Sequence, residues 1–268
     1  MATTRIDPQR GPQERAFSGV GGVDEHLVSL VSPATFPAEQ YRVLRHFVEE
    51  MRRERGLQVV AVTSPTPGDG KTTTAINLAG ALAQAPDLRV LLVEGDLRRT
   101  SFRVPERLGL GGALGPGLAG AIMTPASSLN DVVRRHPRFA LSVLPGGQSP
   151  VACYEVLKSP RLGELLHEAR QQYDFVIVDT PPVIAVPDCK VIARWVDGIL
   201  IVVAAHKTRL QLVEETLNMV DPAKTLGLVF NGDDSPLSVH SGYGSGYYAA
   251  YGQPHEARLA RRWRLGRN

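Results

Sequence analysis

Five short stretches of almost unbroken Val, Ile and Leu limit how this chain can fold: residues 58–63, 89–93, 175–179, 198–204 and 226–230. A strand with one wet face alternates apolar and polar residues, whereas a strand covered on both faces has no reason to alternate. These runs therefore read as parallel strands sandwiched between helices. Segments of helical periodicity stand between them, at residues 72–84, 159–172, 188–195 and 210–219, and repeated βα units build a doubly wound, mostly parallel α/β sheet. A further helix opens at Pro37, where Tyr41, Leu44, Val48 and Met51 recur at helical spacing and leave Glu39, Arg42 and Arg45 on another face. Residues 103–150 are less regular, with a Gly/Pro-rich stretch at 109–117 and one possible strand at 140–144, and read as an insertion in the same domain. One domain over residues 25–232 accounts for the pattern, between an expected disordered segment, 1–24, and an expected flexible tail, 233–268.

The longest apolar run, residues 198–205, is far below the roughly 18 to 20 residues that cross a bilayer, and the N-terminus has no charged-then-apolar leader pattern. A cytoplasmic chain is expected. Cys153 and Cys189 fall in no metal or redox spacing, so both read as reduced, partly buried thiols. The seven histidines are scattered, with no paired ligand spacing. The formal charge of +3 is concentrated at the end of the chain, where Arg258, Arg261, Arg262, Arg264 and Arg267 face a single acid, Glu256. Such a patch suits an anionic surface or a solvated tail equally.

Between the first strand and the helix behind it lies Ser64-Pro-Thr-Pro-Gly68-Asp69-Gly70-Lys71-Thr72-Thr73. Glycines there let backbone amides converge on phosphate oxygens, the helix N-terminus adds partial positive charge, a lysine reaches the β- and γ-phosphates, and Thr72 can ligate Mg²⁺. The strict GxxxxGK[ST] pattern fails at its first position, Pro65, but strand, turn and helix all fall where a nucleotide loop needs them. The second strand leads into Glu94-Gly-Asp96-Leu-Arg98-Arg99 and the third ends at Asp179-Thr-Pro-Pro, which puts carboxylates at the strand ends where open α/β sheets bind ligands. Asp179 is suited to hold Mg²⁺ through water. Glu94 and Asp96, two apart, are expected to project to the same side and to orient a metal or accept a hydroxyl proton. A Gly109-Leu-Gly111 stretch lacks the third glycine and the preceding strand of a dinucleotide fingerprint.

Four of the seven tyrosines, Tyr243, Tyr247, Tyr248 and Tyr251, crowd together among Gly, Ser and Ala after the last strand. Phenols in such company have no apolar face to bury and read as substrates for phosphoryl transfer. In order along the chain, Glu39-x-x-Arg42-x-x-Arg45, the loop at 67–72, Glu94-x-Asp96-x-Arg98, Asp179-Thr-Pro-Pro and the terminal tyrosines resemble the bacterial tyrosine kinases, the P-loop autokinases of capsule and exopolysaccharide synthesis, over about residues 27–251.

The resemblance implies a P-loop NTPase of the deviant-Walker type that binds ATP and Mg²⁺ through Gly68, Asp69, Gly70, Lys71, Thr72 and Thr73. It implies that Asp96 and Asp179 serve the metal, that the acid at 94 (normally Asp, here Glu) helps activate the incoming hydroxyl, and that Asn231 lies near the adenine. It further implies homo-oligomers built through Glu39, Arg42 and Arg45, phosphorylation of the tail on a neighbouring subunit, and a separate membrane-spanning polysaccharide co-polymerase that recruits the chain to the membrane's inner face. No nucleic-acid partner is expected. Two alternatives stay open: a partitioning or septum-positioning ATPase, whose loop carries a second lysine where this chain has Thr66, and a catalytically weak nucleotide-binding scaffold.

Overall fold

Strands that lack polar alternation must be covered on both faces, and the computed structural model of the chain, which describes residues 22–99, 103–111 and 115–232, arranges them so. The N-terminal part holds α1 (Val28–Val31), α2 (Phe36–Arg55), β1 (Val59–Thr63), α3 (Lys71–Leu82) and β2 (Val90–Glu94). The middle holds α4 (Val104–Arg107), α5 (Gly117–Met123), α6 (Leu129–Val132), β3 (Arg134–Arg135), β4 (Leu141–Leu144), α7 (Cys153–Lys158) and α8 (Pro160–Gln172). Then follow β5 (Phe175–Asp179), α9 (Asp188–Ile192), β6 (Gly198–Ala204), α10 (Leu210–Met219) and β7 (Thr225–Asn231).

The strands form one sheet in the order β3-β4-β2-β5-β1-β6-β7, parallel throughout except where β3 runs against β4. β1, β2, β5 and β6 are buried along their whole length. One face packs Val60, Val62, Leu92 and Ile177 against Ile76 and Leu78 of α3 and Val48 of α2. The other packs Ala61, Leu91, Val176 and Ile201 against Leu165 and Leu166 of α8, with α5 and α9 beside them. The irregular stretch 103–150 is less an insertion than one end of the sheet: its expected strand forms as β4 and pairs in parallel with β2.

Acids placed at the starts of strands hold the sheet's lower end. Asp197 accepts the amides of Gln58 and Val59 and a bidentate pair from Arg170. Asp174 does the same for the amide and guanidinium of Arg89. On the upper end, β1 lies between β5 and β6, and the chain must cross over β5 to reach β2. That reversal opens the crevice at the C-terminal ends of the strands where a ligand fits, and the Gly-rich loop leaves β1 there.

Candidate nucleotide site

The loop after β1 is shaped by two glycines in the left-handed region, Gly68 at φ +87° and Gly70 at φ +97°, a conformation that costs an L side chain and costs glycine little. Space enforces the second: a Cβ on Gly70 would lie 2.0 Å from Asn231 Nδ2. Between them the Asp69 carboxylate turns inward. It is fully buried and accepts the Thr66 amide at 2.7 Å and the Thr66 and Thr208 hydroxyls at 3.0 and 2.9 Å. Asp69 thus stitches the loop to itself and to the turn after β6, and what it leaves for a phosphate is its backbone amide. Asn231, at the end of β7, donates Nδ2 to the Asp69 carbonyl at 3.1 Å. The loop is therefore set from three sides before any phosphate arrives.

Gly70 is also the N-cap of α3 and offers no side chain to the first amides of that helix, so those orphan donors remain for an anion. Lys71 and Thr72 open the helix, with Thr73 half-exposed in its first turn. Lys71 Nζ pairs with Asp96 Oδ2 at 3.1 Å, both nearly buried. Thr72 donates its hydroxyl to Asp179 Oδ2 at 2.8 Å and accepts from Arg99 Nη1 at 2.6 Å. Lysine, threonine and two aspartates from three separate strand–loop junctions thus meet beside the loop.

Asp179 is fully buried at the end of β5, and its Oδ1 has no hydrogen-bond partner among the described residues. Burial pushes this carboxyl above the usual range, and Asp96 adds to the effect, while Lys71, the Thr72 hydrogen bond and Arg99 oppose it. A buried carboxylate with one idle oxygen next to a helix-start threonine fits Mg²⁺, a hard ion that keeps several waters and needs only one or two protein carboxylates. No group of three or more His, Cys, Asp or Glu side chains able to hold a metal occurs among the described residues.

Glu94 departs from the expectation that it and Asp96 share a side. The strand ends at Glu94, Gly95 donates its amide to the Asp179 carbonyl, and Leu97 bonds back to Gly95, so the period-two rule for side chains stops short of Asp96. The Glu94 carboxylate, with no exposed surface, accepts the Val104 amide at 2.9 Å, the Gly146 amide at 2.8 Å and Arg103 Nη2 at 3.0 Å. It clasps the far side of the crevice together and does not face Lys71. Arg98 likewise leaves the loop and forks onto buried Asp188 at 2.8 and 3.0 Å, tying the turn after β2 to α9. Arg103, Asp188 and Thr208 carry no motif of their own: their partners lie 9, 90 and 139 positions away.

On α2, Glu39 and Arg42 form an exposed pair one turn apart. Arg45 is committed elsewhere, to Glu49 at 2.8 Å and to the Ala81 carbonyl at 2.9 Å, so it docks α2 onto α3. Cys153 and Cys189 are free, buried thiols. Tyr243, Tyr247, Tyr248 and Tyr251 lie outside the described residues. No helix among the described residues is long and apolar enough to cross a membrane.

A family model described as an AAA domain matches residues 57–227. Tyrosine-protein kinase YwqD of Bacillus subtilis is 33% identical over 232 residues, covering 84% of this chain and 92% of that protein. Tyrosine-protein kinase ptk of Acinetobacter johnsonii is 34% identical over 71% of this chain, which spans 25% of that longer protein. Among solved structures, the kinase domain of Escherichia coli tyrosine kinase ETK superposes with a TM-score of 0.72 at 27% identity, covering 91% of this chain and 89% of that one.

Proposed function

Because the chain belongs to the bacterial tyrosine kinase family, we propose that it is an ATP-dependent protein-tyrosine autokinase whose acceptors are Tyr243, Tyr247, Tyr248 and Tyr251 of a neighbouring copy. The observation that carries this reading is the convergence of Lys71, Thr72, Asp96 and Asp179 beside a loop preset by Gly68, Gly70 and Asp69. In this assignment the loop amides and Lys71 bind the β- and γ-phosphates, and Thr72 and Asp179 hold Mg²⁺ with Asp96 nearby. Mg²⁺ supplies charge neutralisation for the transferring phosphoryl group.

Lys71 and Asp96 already form a pair, so phosphate draws the lysine from a carboxylate that then stays beside the site. Phosphoryl transfer passes through a loose transition state that asks little of a general base, which suits a site where Glu94 is bound up in structure. Asp96 is left as the acid placed to receive the phenolic proton. Asn231 orients the loop and borders the place assigned to adenine.

The same reading puts the kinase in capsule or exopolysaccharide polymerisation and export, recruited to the membrane's inner face by a separate membrane-spanning co-polymerase. Glu39 and Arg42 remain on the surface for self-association, with Arg45 acting through its dock on α3. The partitioning-ATPase alternative is less well supported, since the place of its extra lysine is taken by Thr66, which is folded onto Asp69. The test is a mixing assay: a Lys71→Met chain with its tail intact is incubated with an active chain whose four tail tyrosines are Phe. Phosphotyrosine on the Lys71→Met chain is expected with ATP and Mg²⁺, and its absence refutes transfer between copies.

A further inference from the structure

Thr72 is a hydroxyl on which an acid and a cation converge. Its proton goes to Asp179 Oδ2 at 2.8 Å, and Arg99 Nη1 donates to it at 2.6 Å. A hydroxyl has one proton and two lone pairs. With the proton committed to Asp179, Thr72 can offer another cation only lone pairs, and Arg99 already draws on them. Arg99 is half-buried and comes from the turn after β2, where its amide bonds the Asp96 carbonyl at 3.3 Å. Asp96 in turn holds Lys71. The turn that carries one acid of the site therefore also delivers a guanidinium to the hydroxyl assigned to the metal.

A guanidinium and a divalent ion at one oxygen repel at contact distance. Arginine cannot relieve that repulsion by losing a proton, so only movement of the side chain or of its turn can. The geometry points to Arg99 as a resident counter-cation that competes with Mg²⁺ for Thr72, so that seating the metal–nucleotide complex requires the guanidinium to leave this hydroxyl. The inference rests on the nucleotide-and-metal reading above and adds a threshold to it: Arg99 raises the Mg²⁺ concentration at which the complex forms and links metal binding to the position of the turn after Asp96.

The experiment titrates Mg²⁺ into the full chain at a fixed concentration of N-methylanthraniloyl-ADP that leaves the site mostly empty without Mg²⁺, and follows the fluorescence of the bound nucleotide. Arg99→Ala and Arg99→Gln, two chemically different replacements that guard against a folding defect in either, are expected to lower the half-saturating Mg²⁺ roughly tenfold, the scale of one hydrogen bond from a charged donor. Arg194→Ala removes the same charge at an exposed position just before β6, at the opposite end of the sheet, and is expected to leave the midpoint unchanged. Midpoints for both Arg99 variants at or above that of the parent overturn the competition while leaving the nucleotide site intact. Nucleotide binding by the parent chain that ignores Mg²⁺ removes the metal reading, and the competition with it.

Discussion

Glu94 separates structure from chemistry most sharply, because its replacement has opposite consequences under the two roles. The carboxylate has no exposed surface, and its three closest partners are Arg103, whose side chain is 12% exposed, and the amides of Val104 and Gly146. Glu94→Ala strips a nearly buried guanidinium of its counter-ion, leaving it the Gly147 carbonyl alone, and leaves two buried amides without an acceptor. Removing one partner of a buried charge pair costs about 3–5 kcal/mol. For a domain of this size each kcal/mol lowers Tm by about 2–4 °C, so the melting temperature should fall by roughly 6–20 °C. Glu94→Asp, one methylene shorter, cannot reach both amides and should fall between the parent and the Ala variant, with no gain in tyrosine phosphorylation. Combining Glu94→Leu with Arg103→Met should recover part of the loss, because an apolar pair no longer strands a charge. Thermal denaturation followed by circular dichroism reads the stability, and phosphotyrosine formation well below Tm reads the activity. An Ala variant that melts with the parent yet has lost turnover, or an Asp variant with a large rate gain, would refute the clasp and return Glu94 to the chemistry.

Gly70→Ala should abolish nucleotide binding while leaving far-UV circular dichroism intact, because the added Cβ meets Asn231 Nδ2 at 2.0 Å in a left-handed backbone; equilibrium binding of fluorescent ADP checks it, and parental affinity would contradict it. The Asp197 carboxyl is raised by burial but held below the usual range overall by the Arg170 guanidinium and the amides of Val59 and Gln58. A depressed carboxyl contributes stability that is full above its unfolded value, about 3.9, and is lost as pH falls through the folded value. Denaturation of Asp197→Asn and the parent across pH should therefore show a gap that is widest near neutrality and closes in acid, and a gap that widens in acid would be the wrong sign.

The sheet was legible in the sequence wherever both faces of a strand are covered, because unbroken Val/Ile/Leu runs leave few readings: residues 175–179 and 198–204 were expected as they form. Helix α10 was equally plain, expected over residues 210–219 as it forms. The middle of the chain was not, since α4 and α6 are four residues long and β3 only two, too short for any period to show. Within the site, Lys71 and Thr72 could be named from their place where the glycine loop enters a helix, and Asp96 and Asp179 from theirs at strand ends. The separation of Glu94 from Asp96 could not, because it depends on a strand stopping at Glu94 and on Gly95 bonding the end of β5. Arg98 illustrates the same limit: its motif was visible, but its partner Asp188 is 90 positions away, and only the assembled sheet brings the two together.

In the proposed function one loop serves one chemistry, transfer of a phosphoryl group from ATP to the tail tyrosines. Phosphopeptide mass spectrometry on the full chain, with ATP and Mg²⁺, parent against Lys71→Met, tests it most directly. Phosphate is expected on Tyr243, Tyr247, Tyr248 or Tyr251 in the parent and none in the variant; tail phosphotyrosine that survives Lys71→Met, or a parent that hydrolyses ATP and leaves every tail tyrosine unmodified, would contradict the proposed function.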